Sequence, residues 1–141
     1  MKKLLLATIV ALFASSVLYA KNEVQYFDLN SALQSAEFKR HLSGQITFKF
    51  GKGSGSNDTI IVPNLTSNKK ARMSKSEEDS CQRALLNALI TFEKRAVKEG
   101  GTKVVNLIGY YYKQPYDMKD KFQCGVGTLM TGVTLKGDIA K

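Results

Sequence analysis

The sequence predicts a single small α+β domain: one long amphipathic helix packed on an antiparallel sheet, stapled by one disulfide. Three observations predict it. Residues 76–101 repeat apolar side chains at helical spacing, the stretches 45–50, 103–112 and 122–136 carry strand signatures, and the chain has only two cysteines, Cys81 and Cys124.

The chain opens with MKKLLLATIVALFASSVLYA, two lysines followed by an apolar run and small residues. That order is the pattern of a secretory signal peptide, with cleavage expected after Ala20 and, as the alternative, after Ser16. Thr8, Ser15 and Ser16 interrupt the apolar run, which a membrane span would need to extend to about 20 residues. No cysteine follows the run, so a lipid anchor lacks its acceptor, and the expected mature chain, residues 21–141, carries no transmembrane segment. Lys2 and Lys3 leave with the leader, taking the basic residues from 21 to 19 against 12 acidic ones and the net charge from +9 to +7. This balance favours anionic partners, such as a phosphate-bearing envelope component, or another envelope protein. Nucleic acid is not the expected partner.

Export also decides how the cysteines are read. An oxidising periplasm pairs thiols, and with two cysteines the pairing is Cys81 to Cys124. C-x-x-C spacing, the mark of a redox-active pair, is absent, and zinc would need two further ligands where His41 is the only histidine.

Along the mature chain, residues 21–30 read as extended, followed by a short helix from about Ser31 to Leu42. Asp28, Asn30 and Ser31 are its candidate caps, and Gly44 is its stop. In QITFKF, residues 45–50, Ile46, Phe48 and Phe50 alternate with polar residues, the period of a half-buried strand. GKGSGSND, residues 51–58, reads as a flexible hairpin tip or linker; it lacks the spacing of a phosphate-binding loop. Ile60–Val62 is expected as a strand, placed at an edge or an end by Pro63. The SNKKAR segment at 67–72 reads either as an exposed connector or as an anion-recognition site.

Ser76 opens the strongest local signal as N-cap, with Asp79 at the capping-box position and Glu77 and Glu78 set against the helix dipole. Cys81, Leu85, Ala88, Leu89, Phe92 and Ala96 form the apolar stripe, and Gly100 ends the helix. TKVVNLIGYYYK then predicts a central strand over 103–112, QPYDMKDK a polar turn, and FQCGVGTLMTGVTLKG one long strand over 122–136. Gly125, Gly127 and Gly132 within it are expected as bulges or close-packing points.

The candidate anion- or partner-binding residues are Ser67, Asn68, Lys69, Lys70 and Arg72, with Tyr110 and Tyr112 as stacking groups. No catalytic, cofactor-binding or metal-binding residues are assigned. There is no G-x-S-x-G, no histidine beside a nucleophile, and the acidic trio Glu77, Glu78 and Asp79 diverges around a helix. The expected function is therefore a non-enzymatic, envelope-associated binding protein. The alternatives are an enzyme of unrecognised type acting on envelope material and a purely structural or assembly protein.

Several blocks resemble a family of small exported bacterial proteins of unassigned function. They are TSNKK at 66–70, KSEEDSCQRALL at 75–86, RAVKEGGTKVVNL at 95–107, FQCGVG at 122–127 and GVTLKGD at 132–138, beside the leader itself. Proteins of this kind often carry the label excinuclease ATPase subunit. Here a Walker lysine motif and a zinc-binding cysteine set are both missing, and the chain is too short for an ATPase domain. More distantly, the helix followed by G-G-x-x-V-V and a glycine- and threonine-bearing hairpin is similar to the small α+β domains of RcsF-type and YbjQ-like proteins. That similarity implies a fold and not an activity.

Overall fold

A computed structural model describes residues 21–141; the expected leader, residues 1–20, lies outside the described residues. Six strands form one mixed sheet: β1 (Asn22–Asp28), β2 (Thr47–Phe50), β3 (Ile60–Arg72), β4 (Lys103–Gly109), β5 (Lys121–Gly127) and β6 (Met130–Ala140). Their order is β1-β5-β6-β4-β2, with β3 on β6. All pairs are antiparallel except β2 with β4, a parallel pair that the sequence reading did not anticipate.

The long helix α3 (Glu77–Lys98) covers one face. Its whole expected stripe, Cys81, Leu85, Ala88, Leu89, Phe92 and Ala96, is buried against β6 and β3. Complete burial of Leu85, Leu89 and Phe92 contributes about 1.5–3 kcal/mol each. Ser76 caps the helix, its Oγ accepting from the Asp79 amide at 3.0 Å. The capping box is not reciprocal, because the Asp79 carboxylate accepts instead from the Ser74 hydroxyl. At the other end Gly100, at φ 74°, takes the left-handed turn. The Gly101 amide bonds to the Ala96 carbonyl and the Gly100 amide to that of Val97, closing a Schellman motif.

Four local expectations are corrected. The helix expected over 31–42 is two short ones, α1 (Leu29–Gln34) and α2 (Ala36–His41). Ser35 separates them at ψ 151°, and its hydroxyl caps α2 through the Phe38 amide. Residues 51–58 do not form a hairpin tip, since β2 and β3 are not paired. They fold onto β4, where the Gly55 amide donates to Asn106 Oδ1 at 2.8 Å and a Cβ on Gly55 would lie 2.3 Å from Val105. SNKKAR is no connector: it is the second half of β3, paired residue for residue with β6. Finally, the long strand expected over 122–136 is a hairpin that turns at Thr128 and Leu129 into β6.

Pro63 is accommodated as expected, because β3 pairs only with β6 and shifts register between Val62 and Leu65. Cys81 and Cys124 are bonded, both fully buried, tying the first turns of α3 to β5. Among the described residues no helix is long and apolar enough to cross a membrane.

Candidate functional site: a tyrosine-walled groove on the open sheet face

The site follows from a fork in the sheet. Along one edge β6 pairs first with β5, at Thr131 and Gly132, and then with β4, from Leu135 to Ala140. Where its partner changes, β4 and β5 diverge, and Tyr110–Lys113 leaves the sheet at that point. These residues are not the end of a strand, as their β-rich composition suggested. Tyr111–Lys113 makes a tight turn in which Tyr112 (φ 51°) and Lys113 (φ 60°) are both left-handed. Two adjacent non-glycine residues in that region cost about 1–3 kcal/mol each, and such geometry concentrates at ligand clamps.

The turn arches over the sheet face opposite α3. Strand alternation puts Thr66, Asn68 and Lys70 of β3 on that face, beside Gly132 and Thr134 of β6 and Gly125 and Gly127 of β5. Together with Tyr110, Tyr111, Tyr112 and Lys113 they line a groove of about 690 Å³. Its floor is glycine for a steric reason: a Cβ on Gly125 would lie 2.3 Å from Cζ and Oη of Tyr111. The Tyr111 ring therefore occupies the space of the missing side chain. Tyr112 meets it edge-on at 4.4 Å and is 71 % exposed, presenting an aromatic surface at the rim. Lys136 Nζ sits 4.8 Å from the centre of the Tyr110 ring, a cation–π contact that braces this wall. Burial raises the Tyr111 phenol above its ordinary pKa, and the neighbouring Tyr112 hydroxyl adds to the shift.

Of the seven residues singled out in the sequence, the fold brings four together: Asn68, Lys70, Tyr110 and Tyr112. The other three are excluded by alternation or position. Ser67 is buried on the α3 side, and Lys69 shares its parity and does not line the groove. Arg72 lines a separate recess with His41 and Arg83. The sequence reading missed Tyr111, Lys113, Thr66, Thr134 and the glycine floor. The period-two spacing of Gly125 and Gly127 was the available signal, since it places both on one strand face.

The groove's titratable groups are lysines and tyrosines. Among the described residues no cluster of three His, Cys, Asp or Glu side chains is placed to hold a metal ion. Comparison with models of protein families, with curated proteins and with solved structures gave no match.

Proposed function

We propose that this protein is an exported, non-enzymatic binding protein of the bacterial periplasm that holds an anionic envelope component in the groove on its open sheet face. The observation that carries the reading is the convergence of Lys70 and Asn68 on β3 with Tyr110 and Tyr112 from the fork, across some forty residues of intervening chain. Lysines supply charge, amide and hydroxyl groups supply hydrogen bonds, and exposed aromatic faces supply stacking surface for rings. The net charge and the left-handed Tyr112–Lys113 turn support the same reading. Export is supported by the leader pattern and by the Cys81–Cys124 bond, since structural disulfides belong to oxidising compartments.

Retention on purified envelope fractions across a salt series tests it. Lys70→Ala should weaken binding and flatten its salt dependence, and Tyr112→Ala should weaken binding without changing that slope. Lys69→Ala, off the groove, serves as the control for net charge. Unchanged retention in both groove variants, or an equal loss in the control, overturns the assignment.

A further inference from the structure

A second recess lies on the other side of β3, between that strand and the C-terminal half of α3. It measures about 300 Å³. Leu65 and Phe92 give it an apolar base, Lys94, Arg95 and Lys98 stand around it, and Ser67 lines it from the strand.

Two independent features point to a ligand. The first is charge. Arg95 is already tied to Glu99 at 2.8 Å, and Arg95 and Lys98 together complement the negative end of the helix. Lys94 lies outside that account. It stands one turn before Lys98, the like-charge spacing that destabilises a helix, and neither lysine has an acidic partner among the described residues. An anion between them removes that repulsion. The second is Ser67, 5 % exposed, whose Oγ is buried with no hydrogen-bond partner among the described residues. A buried hydroxyl without a partner is destabilising, and an apolar side chain at this position would avoid that cost. Ser67 lines the cleft, and a ligand oxygen that enters as the walls open onto its enclosed hydroxyl supplies the missing acceptor.

We propose that this cleft binds a single-chain amphiphile with an anionic head. Lys94 and Lys98 hold the phosphate or carboxylate, Ser67 donates to one of its oxygens, and the first carbons of the chain lie against Leu65 and Phe92. The volume is at the lower bound for small-molecule sites, roughly 300 Å³, so it takes the head and the start of the chain while the remainder stays outside. The site does not rest on the groove reading, since the two share no lining residue except Thr66, which borders both.

Calorimetric titration of the oxidised protein with dodecyl phosphate below its micelle concentration tests this, with inorganic phosphate and dodecyl maltoside as parallel probes. Dodecyl phosphate should bind at least about tenfold more tightly than either probe, since it alone satisfies both halves of the site. Lys94→Ala with Lys98→Ala should weaken it by about tenfold or more, Ser67→Ala by about tenfold, and Lys94→Arg with Lys98→Arg should retain it. Lys70→Ala and Tyr112→Ala should leave it unchanged, which keeps this test separate from that of the groove. Equal binding of inorganic phosphate would make the site one for free anions. Equal binding of the maltoside would make it merely apolar. Either result, or indifference to loss of both lysines, overturns the proposal.

Discussion

Asp58 is the residue on which the 51–58 segment turns. Its carboxylate is 4 % exposed and accepts from Lys103 Nζ at 2.6 Å and Lys49 Nζ at 2.7 Å. Those two lysines hold its pKa below the usual carboxylate value, Lys103 contributing most. A depressed folded-state pKa stabilises the fold fully above the unfolded value of about 3.9, and this contribution disappears as pH falls from there through the folded value. Asp58→Asn should therefore lower the denaturation midpoint clearly at pH 7, with the gap from the native protein closing below about pH 4; urea melts at pH 7, 4 and 3 read this directly. A gap that does not narrow between pH 7 and pH 3 would mean the carboxylate acts by shape rather than charge. None of this was legible beforehand. Lys49 and Lys103 meet Asp58 only because β2 and β4 pair in parallel, and a sequence shows Gly and Ser around Asp58 without showing the strands beneath them.

At the scale of elements, α3 was almost wholly readable because its signals are local. The cap, the acidic first turn, the stripe and the terminal glycine each act within a few residues, and each was found where spacing placed it. Replacing Ser76 with Ala should cost about 1 kcal/mol. A lower urea midpoint at unchanged slope is the expected result, and an unchanged midpoint would show that packing alone holds the first turn. Other elements were less legible. Ser35 breaks the helix over 31–42 because a serine N-cap and a mid-helix serine look alike in sequence, and only the docking of both short helices selects the cap. The 122–136 stretch has no Pro, Asn or Asp through its turn and its glycines read as bulges, so the bend at Thr128 and Leu129 was not marked. The tyrosines carry strand propensity but lie beyond the point where β4 loses its partner, and tertiary context overrode propensity there.

For the molecule as a whole, the disulfide joins the helix layer to the sheet. Closing the loop between positions 81 and 124 stabilises the fold by about 4 kcal/mol in the chain-entropy account. Cys81→Ala with Cys124→Ala should lose about that much in denaturant melts, and intact mass after alkylation without reductant should show both thiols masked. Free thiols in the native protein would contradict the bond. The Cys81 side of this staple follows from the stripe of α3, and the Cys124 side from its pairing strand, so both ends are core positions.

By itself the sequence determined the α+β class, the helix with its caps and buried face, the single possible cysteine pairing and an edge or end position for the proline-bearing segment. These depend on period, on capping chemistry and on counting, all properties of short stretches. Only the tertiary structure decided the parallel β2–β4 pair, the change of partner along β6 and the fork that follows. Pairing of SNKKAR within β3 sends its adjacent residues to opposite faces, and the fork unites Lys70 with tyrosines forty positions away. Strand alternation sends neighbouring side chains to opposite faces, and which face becomes covered is settled by the helix that docks there.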